Sequence, residues 1–65
     1  MRAADASALV NASRELLGKN DPIGAERVLG PIMPRLRSDA EALHLMGLIK
    51  RTTGHLLEAE RYFRS

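Results

Sequence analysis

Asp39-Ala40-Glu41-Ala42-Leu43 restates Asp5-Ala6-Ser7-Ala8-Leu9 at a distance of 34 residues, with Asp, Ala, Ala and Leu in the same places. The same offset carries Ala25-Glu26-Arg27 onto Ala59-Glu60-Arg61, followed by the apolar pairs Val28-Leu29 and Tyr62-Phe63. Residues 1–31 laid over 35–65 without a gap share 7 identities, where average composition gives about two. A fixed period of this size marks stacked helical hairpins. It points to a binding scaffold and away from an active site.

Composition agrees with that reading. Ala, Leu, Arg and Glu are plentiful and aromatics make up 3% of the chain, so local propensity favours helix. The 65 residues form one domain, 1–65. A chain this short buries only about 60% of its unfolded surface. With no cysteine, no disulfide adds to the core, and a reducing compartment fits. The 10 basic and 8 acidic residues give a net charge of +2, with the signs interspersed, so long-range steering is weak. Met1-Arg2-Ala3-Ala4-Asp5 does not open a signal peptide. No stretch is long enough to span a bilayer. The expected location is cytoplasmic, with no membrane partner.

Four helices are expected, in two pairs. The first runs from about Ala6 to Leu17 with Asp5 as N-cap, an apolar and small stripe of Leu9, Ala12, Ser13, Leu16 and Leu17, and Gly18 closing it. Asp21 caps the second helix and Pro22 occupies its first position. Its inner face is Ala25, Val28, Leu29, Ile32, Met33 and Leu36. Pro31 kinks it or breaks it after Gly30, and it ends near Leu36. Ser38-x-x-Glu41 reads as a capping box opening the third helix, about Asp39 to Thr52. That helix buries Leu43, Leu45, Met46 and Ile49, and Gly47 in its interior marks the close approach of a neighbour. Thr53-Gly54 makes the turn. The fourth helix starts near His55 and carries Leu56, Ala59, Tyr62 and Phe63 inward.

Leu43-x-x-Met46-Gly47-x-x-Lys50, then Gly54, then Ala59-x-x-x-Phe63 resembles the tetratricopeptide (TPR) repeat. Leu9-x-x-Ala12-Ser13-x-x-Leu16 followed by Ala25-x-x-x-Leu29 carries the pattern more loosely. Ser13 to Ala25 and Gly47 to Ala59 both span 12 residues. The resemblance implies an all-α fold: two tandem antiparallel helix-turn-helix hairpins stacked as a short right-handed TPR solenoid. Repeat one covers about 6–39, and repeat two, lacking its last turn, about 40–65. Lys50 departs from the family's aromatic; its stem is expected to pack while its ammonium reaches water. Ala40 to Gly47 is also similar to bacterial arrays ahead of sulfotransferase or glycosyltransferase domains. On that alternative the chain is a structural, oligomerising N-terminal part of a larger protein.

The resemblance further implies a concave face, lined by the first helix of each pair, that binds a protein or peptide partner. Carried over by position, it selects Ser7, Val10, Arg14 and Leu17 in the first unit and Glu41, His44, Leu48 and Arg51 in the second. Arg14 and Arg51 suit carboxylates, and Val10, Leu17 and Leu48 suit apolar side chains. The lysine and asparagine set of the chaperone-binding carboxylate clamp is absent.

Other chemistry is not indicated. Glu41-x-x-His44 shares a helix face, but a metal needs more ligands, and His55 and Glu58 stand on another helix. No metal, cofactor or catalytic residue is expected, for there is no H-E-x-x-H, phosphate loop or serine elbow. Asn11-Ala12-Ser13 is a formal sequon inside a helix. Arg35, Arg37, Lys50, Arg51, Arg61 and Arg64 are interrupted by acids, with no exposed aromatics expected for stacking, so nucleic acid is not the expected partner. Leu45, Leu56 and Tyr62 are expected to leave an apolar flank, because an array without a polar end helix is unsealed. A homodimer is the expected consequence.

Overall fold

The computed structural model describes residues 3–64. They form α1 (Ala3–Gly18), α2 (Pro22–Leu29), a 3-10 helix (Gly30–Arg35), α3 (Ala40–Thr52) and α4 (Leu56–Arg64). No strand occurs among the described residues. α1 begins earlier than expected, so Asp5 lies inside it, and the Asp5 side chain falls outside the described residues.

Each helix pair is joined by the same kind of backbone turn. After α1 the chain takes a positive φ of 66° at Asn20. Asp21 N–H then donates to the Leu16 carbonyl at 2.9 Å and Asn20 N–H to Leu17 at 3.0 Å. After α3 the positive φ is 86° at Gly54, with His55 N–H on the Lys50 carbonyl at 2.8 Å and Gly54 N–H on Arg51 at 3.2 Å. These bonds satisfy carbonyls that a helix end leaves orphaned. The expected closure at Gly18 is therefore corrected: Gly18 is the last helical residue, and Asn20 makes the left-handed turn. Asn tolerates that conformation better than other side chains.

Asp21 caps α2 as expected, accepting from Gly24 N–H at 3.0 Å, with Pro22 first in the helix. A Cβ at Gly24 would collide with that carboxylate. α2 stops at Leu29. Pro31 has no N–H for the Arg27 carbonyl and Pro34 none for Gly30, so the i−4 ladder fails twice and the chain tightens into the 3-10 helix. Ile32 and Met33 stay buried, and Leu36 partly so. The inner face thus survives the break. At α3 the expected box is corrected: Asp39, not Ser38, is the N-cap, accepting from Ala42 N–H at 3.0 Å. A carboxylate one residue nearer the helix reaches the next orphan donor, Ala42 N–H in place of Glu41 N–H, with a charge-assisted bond.

α3 is the central element, packing on α1, α2 and α4. Leu43, Leu45, Met46 and Ile49 are all buried, with Ile49 wholly so. They share one core with Val10, Ala25, Leu29, Ile32, Met33 and Ala42, flanked by Leu9, Leu16 and Leu17. Ser13, Ala25 and Ala59 are buried, as small residues at a close approach should be. Ser13 Oγ donates to the Ala25 carbonyl at 2.9 Å across the first turn, so α2 folds back along α1. Across the second turn the Phe63 ring lies over Gly47, where any Cβ would run into it. Of the expected flank, Leu45 fails, being 4% exposed and taken up by the core. Leu56 is 65% exposed, as a flank residue should be, which corrects the expectation that α4 carries it inward.

Candidate functional site

The residues selected for partner binding divide into two groups on α1 and α3. Ser7, Val10 and Glu41 line one hollow of about 250 Å³, together with Ala6, Leu36 and Asp39. Arg14 of α1 forms an ion pair with Glu41 of α3, which ties the two rows side by side. Val10 is only 5% exposed and belongs to the core, so it offers a partner little surface. Leu17 is half-buried and packs against that core. Leu48 is half-buried; Ser7, Arg14, Glu41, His44 and Arg51 are exposed.

The second group is organised by an aromatic that lies outside both selected rows. Phe63 of α4 is 42% exposed. Its ring centroid lies 5.6 Å from that of His44, tilted by 48°, and 5.9 Å from the Arg51 guanidinium carbon. His44, Gly47 and Arg51 share one face of α3 by helical spacing. Gly47 supplies the missing volume in which the ring rests. The expectation that no aromatic is exposed is thus corrected, for burial of one ring face leaves the other open. The signal was present in sequence: a glycine one turn from His44 and from Arg51, opposite an aromatic, builds such a seat. Arg51 makes no ion pair with a described residue.

Lys50 behaves differently from its expectation as well. Its ammonium does not simply reach water. It donates to Glu26 of α2 at 2.5 Å and sits 2.9 Å from Glu58 of α4, with only 13% of the side chain exposed. The hydrogen bond to Glu26, then that to Glu58, raises the Lys50 pKa above its ordinary 10.5. The bond from Lys50 holds the Glu58 carboxyl below its ordinary 4.5. An aromatic here would fill space. The lysine instead joins three helices across both hairpins.

Glu41 and His44 do not converge with His55 and Glu58. Glu41 pairs with Arg14, Glu58 with Lys50, and His55 Nδ1 lies 2.8 Å from Thr53 Oγ. No cluster of three or more metal-binding side chains occurs among the described residues. Among the described residues, no helix is long and apolar enough to cross a membrane.

Comparison with known proteins finds no matching family model, no matching curated protein and no matching solved structure.

Proposed function

We propose that this chain is a non-catalytic protein-interaction module, a short TPR-like scaffold that holds a partner segment along the face shared by α1 and α3. The observation that carries this reading is the pairing of Arg14 with Glu41, which sets the two selected rows in contact. His44, Arg51 and the open face of Phe63 extend the same surface on α3. A face with an unpaired guanidinium, an aromatic ring and half-buried Leu48 suits a segment with both an acidic and an apolar side chain. A peptide-array screen with the full chain tests it. Bound peptides should lose affinity with Arg51→Glu and His44→Ala while the helical circular dichroism stays unchanged. An array that returns no ligand, or ligands indifferent to both changes, defeats the reading.

A second reading, self-association, is favoured by one observation. Leu56 and Leu57 are 65% and 78% exposed on α4, an apolar flank of the kind that a second copy covers. Light scattering on wild type and Leu56→Glu/Leu57→Glu separates the readings. A dimer that the double variant dissolves supports this one. A wild-type monomer at high concentration removes it.

A further inference from the structure

The two sides of the first turn of α3 differ in charge. On the α1 side, the hollow beside Ser7 has Asp39 and Glu41 at its edge. On the α4 side, a larger hollow of about 450 Å³ runs between the 3-10 helix and α4, which make no extended contact with each other. It continues past Leu43 and Tyr62, which border both parts, into a further hollow of about 340 Å³ beside His44 and Phe63. Met33, Leu43 and Tyr62 form its apolar floor, while Arg37 and Arg61 stand on its rim. No side chain lining either part is acidic, in a chain whose acids nearly balance its bases.

The break at Pro31 and Pro34 opens this groove. It turns the end of the first hairpin into a 3-10 helix, and Gly30 at the break lines the hollow without a side chain. Arg37 makes no ion pair with a described residue.

We propose that the groove between the 3-10 helix and α4 binds an acidic peptide segment in extended form, with apolar side chains on the Met33–Leu43–Tyr62 floor and carboxylates at the Arg37 and Arg61 rim. An extended chain of alternating acidic and apolar residues presents the two kinds to opposite sides. An apolar floor with charge only at the rim suits such a peptide better than a phosphate backbone, which needs cations along its track. The site is distinct from the α1–α3 face and shares with it only His44 and Phe63, at one end.

The test uses the full chain and a short fluorescein-labelled peptide alternating Glu and Phe, with a Lys–Phe counterpart, followed by fluorescence anisotropy. The acidic peptide should bind at least about tenfold tighter than the basic one and weaken as salt is added. Arg37→Glu and Gly30→Leu should each lower its affinity by at least about tenfold. Gly30 is already helical, with φ −51° and ψ −49°, and a Cβ there meets only Glu26 Cγ at 3.9 Å. Gly30→Leu should therefore melt no lower than wild type, which separates a blocked groove from a damaged fold. Equal binding of the two peptides, or affinity indifferent to both variants, overturns the proposal. So does equal displacement by a single-stranded oligonucleotide of matched charge. Affinity lost only with Arg14→Ala also overturns it and assigns the peptide to the α1–α3 face.

Discussion

The two hairpins place small residues at the same heights and then use them differently. In the first, Ser13 meets Ala25 through a buried hydrogen bond of 2.9 Å, and Leu29 is wholly inside. In the second, Gly47 meets the face of Phe63, which remains 42% exposed. Leu29 and Phe63 are 34 positions apart, as are Ser13 and Gly47. The offset preserves spacing, and so preserves how closely the helices approach, but it does not preserve what seals the approach. One hairpin is closed upon itself. The other presents its largest side chain to the outside.

The comparison breaks first on truncation of its matched pair. Leu29→Ala should cost about 2–5 kcal/mol, the range for emptying a sealed core site. Phe63→Ala, although it removes more atoms, should cost only about 1 kcal/mol, because much of the ring is already in water. Urea unfolding of both variants decides it, and an equal or reversed order would mean that Phe63 seals its hairpin as Leu29 does.

Lys50 should give the next effect, since it links the hairpins instead of distinguishing them. The raised Lys50 pKa means that its stabilisation is complete below about 10.5 and is lost as pH rises through the higher folded value. The lowered Glu58 pKa means that its stabilisation is present above about 4.5 and is lost as pH falls through the lower folded value. Thermal melts of wild type should therefore hold level between these limits and fall outside them. Lys50→Met should flatten both falls, and added salt should narrow the difference between the two proteins. Unchanged pH profiles would show that the bridge contributes nothing.

Ser13→Ala removes the hydrogen bond but keeps the close approach, at a cost of about 1 kcal/mol. Ser13→Gly, which gives the first hairpin the residue of the second, should cost about 1 kcal/mol more through helix propensity. Denaturant midpoints that rank Gly above Ala would contradict this. The smallest effect belongs to the turns. Asn20→Gly relieves a left-handed side chain and should gain about 0.5 kcal/mol. Gly54→Asn should lose a similar amount, and calorimetry on the two variants should find shifts of opposite sign.

Much of this was legible in the chain. Helical spacing named Leu43, Leu45, Met46 and Ile49 as the inner face of α3, and all are buried. Asp21-Pro22 announced a helix start, and Pro31 announced a break. What failed was of two kinds. Gly18 and Ser38 have the chemistry for a helix end and a capping box, but Asn20 and Asp39, close by, have it too. The position of Gly54, 34 residues beyond Asn20, already marked the turn. The second kind is tertiary. Glu26 and Lys50 are 24 residues apart, and no periodicity along one helix reveals a charge supplied by another. Likewise α4 was read as inward at Leu56, although spacing gives a helix its faces without saying which neighbour is present to cover them. Of the selected face, the Arg14–Glu41 contact joins the two rows, but Val10 was assigned to a surface that the core had taken.

The prolines between the hairpins have a geometric effect beyond ending a helix. A 3-10 helix advances about 2.0 Å and 120° per residue, against about 1.5 Å and 100° in an α-helix. Over the six residues Gly30–Arg35, the difference accumulates to roughly 3 Å of travel and about a third of a revolution. Pro31 and Pro34 therefore act as a threaded coupling, setting how far along and at what azimuth Ala40 launches its helix. Moving Pro31 back to 30 or Pro34 on to 35 would re-aim the entire second half without altering a single residue of the core.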